Sequence, residues 1–258
     1  MRDLLRADMY RMFRKRWFWL CVCCMETVAI ALVVMQRTAM DYTVSLDRVI
    51  FLPMAFYGIA VAALVSLFVG DDYQDGMMRN KIVSGKSRRA VYCSLQTACW
   101  LGCLAVYAGM VITTVCLGRV LFPVNVTGGD ILRYSLLGAS VCLAYGSGFC
   151  MISILTQNRS TAAVLSMALA FAMLFLCLHT NQVLAQAAYR DGVANPYYVR
   201  GAKRMLYLVL HDCNPSGQAA QLSSMQCLHA PRFLAMDLLW ACLSIFAGPR
   251  LFDKADIR

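Results

Sequence analysis

Charged residues are scarce in this chain. Only 15% of its 258 residues are Asp, Glu, Lys or Arg, whereas 60% are hydrophobic, and an ordinary soluble domain carries about 25% charged residues. The composition therefore predicts a membrane protein. The formal net charge of +10 does not indicate a nucleic-acid partner, because the basic residues lie at the edges of apolar runs, as the positive-inside rule describes.

Catalytic motifs are missing as well. Gly85-Lys86-Ser87 resembles the end of a P-loop, but Asn80 stands where that loop requires its first glycine. Three histidines and no His-Glu-x-x-His sequence leave little for metal catalysis. Gly138-Ala139-Ser140 and His179 suggest a serine–histidine dyad only faintly, because small residues in membrane helices usually serve helix packing. We predict that the chain is not an enzyme and binds no cofactor or metal.

The 13 cysteines are mostly found among apolar residues. Eleven lie in or beside apolar runs, where cysteine acts as a small hydrophobe. Cys213 and Cys227 instead share one polar segment, and they could be bridged if that segment lies outside the cell.

Six apolar segments have about the 20 residues that are needed to cross a bilayer. They cover residues 17–36, 50–69, 92–118, 134–155, 161–180 and 233–248. The last segment is short and contains Asp237. We therefore predict an all-α integral membrane protein in which residues 1–258 form a single transmembrane domain.

The distribution of Lys and Arg predicts the orientation of these spans. The N-terminus, the segment after the second span, the turn at residues 157–160 and the C-terminal tail together hold 15 of the 24 basic residues. The three other loops hold nine, spread over more residues. Both termini are therefore predicted to be cytoplasmic. No signal peptide is expected, because the first apolar run is too long for one.

The N-terminus has a helical pattern. Leu5, Met9, Met12 and Phe13 share one helical face, and basic residues occupy the other faces. This pattern predicts that residues 1–16 form an amphipathic helix that lies along the membrane surface. An ordinary charged flank to the first span is the alternative.

Residues 181–232 are predicted to form a helical extracellular segment. Their apolar run at residues 205–210 is too short to cross a bilayer. Asn-Pro and Asn-Pro-Ser-Gly turn signals bracket that run. We expect short helices that pack against the outer mouth of the bundle.

The most polar stretch, residues 70–94, lies between the second and third spans and contains three aspartates and five basic residues. Asp75 is a suitable N-cap for a short helix that includes Gly76, and Gly85 is a suitable stop for it. The prediction is a short helix over residues 76–83.

Met78, Ile82 and Val83 would share a face of this short helix, with Arg79 and Lys81 beside it. An apolar knob ringed by positive charge is suited to insertion into a groove of a soluble protein. The alternative is a solvated loop that rests on anionic lipid.

The chain has a basic amphipathic N-terminus, six spans and, after the second span, a cytoplasmic Asp-Gly-x-x-Arg-Asn-Lys motif. This arrangement resembles the type-2 ABC exporter permeases, most of all the compact ones of Gram-positive bacteria. The motif is carried by Asp75, Gly76, Arg79, Asn80, Lys81, Ile82, Ser84, Gly85, Ser87 and Arg88. Asn195-Pro196, Gly201, Lys203-Arg204, residues 215–218 and the tail at residues 252–258 add to the likeness.

The resemblance implies a multi-pass permease subunit of an exporter in a bacterial cytoplasmic membrane. A separate ABC ATPase subunit would hold ATP and Mg and drive transport, and a second copy of the chain or a related permease would complete the unit. Residues 1–16 would be the connecting helix, and residues 233–258 the last span and the cytoplasmic tail. The coupling helix that docks on the ATPase would involve Asp75, Gly76, Met78, Arg79, Asn80, Lys81, Ile82, Val83 and Gly85. Among family substrates, a peptide antibiotic or a drug is favoured.

Glu26 lies near the middle of the first span, where a carboxylate is costly and rarely faces lipid. It could be a structural contact to a neighbouring helix, through Ser66 or Thr113, or it could line a translocation path. Outside the ABC class, a channel, a secondary transporter or a scaffold is the alternative function.

Overall fold

The structure of the protein, a computed structural model, describes residues 2–39, 44–190, 193–225 and 229–254. Its helices are α1 (Arg2–Arg14), α2 (Arg16–Ala39), α3 (Met54–Gln74), α4 (Met77–Val83), α5 (Arg88–Leu121), α6 (Gly128–Thr156), α7 (Arg159–Leu184), α8 (Ala202–Cys213), α9 (Pro215–Ser223) and α10 (Ala230–Lys254). A two-stranded antiparallel ribbon, β1 (Tyr189–Arg190) and β2 (Val193–Ala194), follows α7.

Six of these helices, α2, α3, α5, α6, α7 and α10, are long and apolar enough to cross a membrane. The prediction of a helical protein with six apolar helices that could span a membrane is thus confirmed. Except at the start of α3, the helices extend beyond the predicted apolar segments, because their ends carry polar residues that continue the helical turn. The last span, for example, runs from Ala230 to Lys254 and includes Pro249.

The second span begins at Met54 rather than at residue 50. Pro53 immediately precedes it, and proline is tolerated at the start of a helix because its missing N–H would have no intrahelical partner there. A short 3-10 helix (Leu46–Arg48) comes before this proline. The apolar residues Ile50 and Phe51 are fully buried, so they pack over the end of the bundle and do not lengthen α3.

Polar caps determine where three of the long helices begin. The side-chain oxygens of Ser87, Thr127 and Asn158 accept hydrogen bonds from backbone N–H groups in the first turns of α5, α6 and α7, respectively. Such caps satisfy backbone donors that have no partner within the helix.

The predicted N-terminal helix exists as α1, but its apolar face is covered by the protein itself. Met12 is 1% exposed, and its Sδ lies 2.2 Å from the position that a Cβ on Gly102 of α5 would occupy. Leu5, Met9 and Phe13 pack against the same core. The absence of a side chain at Gly102 therefore lets α1 pack closely against α5.

Tyrosines and glycines bring the central helices together. The Tyr57 hydroxyl of α3 donates to the Cys103 carbonyl of α5 at 2.7 Å. Gly138 of α6 faces Tyr107, where an added Cβ would come within 2.1 Å of the phenol oxygen. Small residues in this core thus make room for aromatic rings, as is common between membrane helices.

The helices α8 and α9 lie at one end of the bundle, and Asn214 joins them. Its Oδ1 accepts from the Ser216 N–H at 3.1 Å, and its Nδ2 donates to the Met173 carbonyl of α7 at 2.7 Å. Pro215 occupies the first turn of α9, where its fixed φ favours a helix. The predicted short helices in this segment are therefore present, and they pack on the bundle. We call this the α8–α9 end and the opposite one, which carries α1 and α4, the α4 end.

Candidate functional sites

The short helix α4 connects the second and third spans. Gly85 ends it with a φ of 84°, and the N–H groups of Gly85 and Lys86 bond to the carbonyls of Ile82 and Lys81 at 3.0 and 3.3 Å. This is the Schellman pattern, which favours glycine because an L-residue is strained at positive φ. The prediction that Gly85 is the stop is confirmed.

The prediction that Asp75 is the N-cap is wrong. Gly76 occupies the N-cap with a φ of 66° and no side-chain cap, while Asp75 is the C-cap of α3. The chain turns so sharply between the two helices that a residue with positive φ is needed there. The Asp75 carboxylate instead accepts from Lys15 Nζ at 3.4 Å.

The outward face of α4 differs from the predicted one. Met78 is 1% exposed and belongs to the core, so the prediction that it faces a partner is wrong. Val83 is 78% exposed, and Arg79 and Asn80 are exposed beside it, whereas Ile82 is half-buried. The face available to another protein is therefore polar, with a single apolar side chain, and the predicted apolar knob is absent.

Lys81 points inward and neutralises two buried carboxylates. Its Nζ lies 2.8 Å from Asp8 Oδ1 of α1 and 2.8 Å from Asp72 Oδ2 of α3. The Ser94 hydroxyl of α5 donates to the second Asp8 oxygen at 2.6 Å. Lys81 thus connects α4 to α1 and α3, and Ser94 joins α5 to the same Asp8. The buried carboxylates are paired as low-dielectric burial requires.

Arg11 completes the neutralisation of the same carboxylates. Its guanidinium binds Asp72 with both terminal nitrogens, at 2.6 and 2.9 Å, and contacts Asp8 at 2.5 Å. Burial alone would lower the pKa of Arg11, but the hydrogen bonds and charges of Asp72 and Asp8 outweigh burial and raise it. Arg11 thus stays charged and holds α1 against α3.

Asp71 receives a second pair of cations. Lys15 Nζ lies 2.8 Å from its Oδ2, and Arg159 Nε of α7 lies 3.1 Å from its Oδ1. Gly70 permits this contact, because a Cβ there would come within 2.9 Å of the Arg159 Cα. We call Asp8, Arg11, Lys15, Asp71, Asp72, Lys81 and Arg159 the charge cluster.

The carboxylates of the charge cluster are the functional candidates that sequence reasoning missed. Asp71-Asp72 at the end of an apolar span was a usable signal, because two adjacent carboxylates there need cations nearby. Asp8, the one acidic residue in the second half of a basic helix, was another. Their partners lie 61 and 73 positions apart in the sequence (Arg11 to Asp72 and Asp8 to Lys81), so neither pair could be read from spacing.

Glu26 packs against α5. Its Oε1 lies 2.6 Å from the position that a Cβ on Gly109 would occupy, and its Oε2 is buried with no hydrogen-bond partner among the described residues. The Ser66 hydroxyl donates to the Ala63 carbonyl at 3.2 Å. Glu26 thus packs against a neighbouring helix at a glycine. Among the described residues it makes no hydrogen bond to Ser66 or Thr113, the partners that the sequence suggested.

Ser140 and His179, the residues of the faint dyad, contact different partners. Ser140 donates to Asp237 Oδ2 of α10 at 2.5 Å. The His179 ring packs on Tyr207, with centroids 6.0 Å apart. Asp237 is buried in the last span, and its Oδ1 has no partner among the described residues.

Cysteine positions bear on metal binding. Cys21 and Cys24 have C-x-x-C spacing on α2, one buried and one exposed. Within the described ranges, no group of three or more His, Cys, Asp or Glu side chains is arranged to hold a metal ion. Cys213 Sγ lies 3.4 Å from Met236 Sδ, while its predicted partner Cys227 lies outside the described residues.

Comparison with protein-family models and with curated proteins finds no match to this chain.

Proposed function

We propose that this chain is the permease subunit of an ABC exporter, and that α4 docks on a separate ATPase subunit in the cytoplasm. The observation that carries the proposal is the charge cluster, which ties α4 to α1 and α3 and ties α3 to α7. A coupling element must transmit movement from the ATPase to the spans, and a helix held by buried ion pairs moves with the helices it contacts.

The docking surface is the outward face of α4, formed by Arg79, Asn80 and Val83. The ATPase would bind ATP and Mg. A second permease would complete the unit in a bacterial cytoplasmic membrane, with lipid around its apolar helices. The cargo would be a peptide antibiotic or a drug, as the family resemblance implies.

The test compares two exposed valines at opposite ends of the bundle. Val83→Asp changes the α4 face, and Val124→Asp makes the same change after α5, where Val124 is 55% exposed. The genes beside this one are searched for an ATPase with Walker motifs, each variant is co-expressed with that ATPase, and we measure co-purification and ATP hydrolysis in membranes. Val83→Asp should lose ATPase binding, because a charge must then be desolvated at the contact, whereas Val124→Asp should retain it.

Equal binding by both variants, or no ATPase binding by the unmodified chain, would refute the proposal and favour a channel, secondary transporter or scaffold. Met78→Asp is not a suitable docking variant, because Met78 lies in the core and its replacement would unfold the α4 end.

A further inference from the structure

A cavity of about 470 Å³ lies at the α8–α9 end, bounded by the end of α7 and by α8 and α9. Its volume is within the range of ligand pockets, roughly 300–1,000 Å³. Arg204, His211 and Gln221 line it, together with the apolar Leu184 and Leu208. The lining thus combines a cation, hydrogen-bonding groups and an apolar wall.

Arg204 brings a positive charge to this cavity. Its guanidinium lies 4.9 Å from the ring centroid of Tyr198, and its Nη2 donates to the Leu184 carbonyl at 3.5 Å. Its Nη1 is buried and has no hydrogen-bond partner in the described part of the chain. Asp212, a carboxylate in the same lining, pairs with Arg232 at 3.0 Å instead.

His211 supplies a second N–H group. The Gln221 amide nitrogen donates to Asp212 Oδ1 at 3.0 Å and lies 2.6 Å from His211 Nδ1, so Nδ1 accepts and Nε2 carries the proton. His211 is 4% exposed, and its Nε2 has no partner among the residues that the structure describes. Burial lowers the pKa of His211, although Asp212 opposes the shift, so the ring is neutral near pH 7.

We propose that this cavity binds a molecule with an anionic oxygen group, a carboxylate or a phosphate, and a nearby carbonyl oxygen. Arg204 would hold the anionic group, and His211 Nε2–H would donate to the carbonyl. The two residues are seven positions apart on α8, so they lie on the same face about 10 Å apart along its axis. The apolar wall would contact a short hydrocarbon part. This proposal does not depend on an ATPase partner.

Two sources of such a ligand can be distinguished with the purified full chain. For a soluble acid, N-acetyl-leucine is compared with N-acetyl-leucine amide, which has the same shape without the charge. For a lipid headgroup, nanodiscs of phosphatidylglycerol are compared with nanodiscs of phosphatidylcholine. Binding is measured as the shift in Tm that each ligand causes.

Arg204→Gln tests the site, and Arg200→Gln is the matched control. Arg200 also stacks on Tyr198, at 5.6 Å, but it does not line the cavity. Ala220→Phe is a second variant that would fill the cavity from α9 and leave Arg204 in place. We expect the Tm shift to disappear in Arg204→Gln and in Ala220→Phe and to persist in Arg200→Gln.

A shift with N-acetyl-leucine but not with its amide supports a soluble acid. A shift with phosphatidylglycerol but not with phosphatidylcholine, in which choline balances the phosphate charge, supports an anionic lipid headgroup. No charge-dependent shift with either probe, or equal loss in Arg204→Gln and Arg200→Gln, would overturn the proposal.

Discussion

At the scale of single residues, Lys81 is a cation buried between two carboxylates. It is 9% exposed and contacts two carboxylates that are themselves buried. Such a pair adds little to stability when it replaces apolar packing, but removing one partner leaves an uncompensated charge. Lys81 therefore holds α4 against α1 and α3, while Arg11 joins α1 and α3 to each other.

We predict that Lys81→Met lowers the free energy of unfolding by about 3–5 kcal/mol, the cost of breaking a buried ion pair. Lys86→Met is the control, because Lys86 is exposed and surface changes are within about 0.5 kcal/mol. Denaturant unfolding in detergent measures both. Similar stability of the two variants would mean that the charge cluster does not hold α4 in place.

The burial of His211 predicts that the stability of the protein depends on pH. Its pKa in the folded protein is lowered below the ordinary value of 6.5 by burial, although Asp212 opposes the shift. The folded state therefore binds a proton at His211 less readily than the unfolded state does. The contribution of neutral His211 to the free energy of unfolding is full above pH 6.5 and is lost as the pH falls through the lowered pKa. Tm should fall between pH 7.5 and pH 5.5. His211→Gln should weaken this dependence, and His229→Gln at an exposed position should preserve it.

At the scale of elements, glycines determine how closely helices approach, and the atom opposite each glycine determines the cost of replacing it. Gly70 of α3 faces the Arg159 backbone of α7, whereas Gly109 of α5 faces the flexible end of Glu26. Backbone cannot move away without separating two helices, but a carboxylate can rotate.

We therefore predict opposite results for two identical changes. Gly70→Ala should cost about 1–3 kcal/mol by overpacking and should weaken the Arg159–Asp71 pair. Gly109→Ala should be neutral or slightly stabilising, because Ala in a helix is about 1 kcal/mol better than Gly. The Tm of each variant, measured by thermal unfolding, tests these two expectations. A larger loss in Gly109→Ala would show that Glu26 is rigidly held.

At the scale of the whole molecule, α4 and the α8–α9 segment lie at opposite ends of the bundle of six long helices. The excess of Lys and Arg in the segments at the α4 end predicts that this end is cytoplasmic. Reporter fusions should therefore place Ser84 and Arg258 inside the cell and Asn125 and Ser224 outside. An external Ser84 would reverse the orientation and exclude docking of a cytoplasmic ATPase on α4.

The sequence by itself determined the spans and several ends of elements. Apolar runs of about 20 residues are long enough to cross a bilayer, and the hydrophobic effect keeps them out of water. Gly85 stops α4 because positive φ is a local backbone property that glycine adopts without strain. Such features depend on neighbouring residues, so a sequence pattern is sufficient to predict them.

Tertiary structure alone decided which face of α4 is free. Helical spacing placed Met78, Ile82 and Val83 together, but it could not show that the core would cover Met78 and leave Val83 exposed. The choice follows from Lys81, which points toward Asp72 on the preceding helix and toward Asp8 on α1, 73 positions away in the sequence. Long-range pairing of buried charges sets the rotation of a short helix, because an unpaired buried carboxylate costs more than a changed apolar contact.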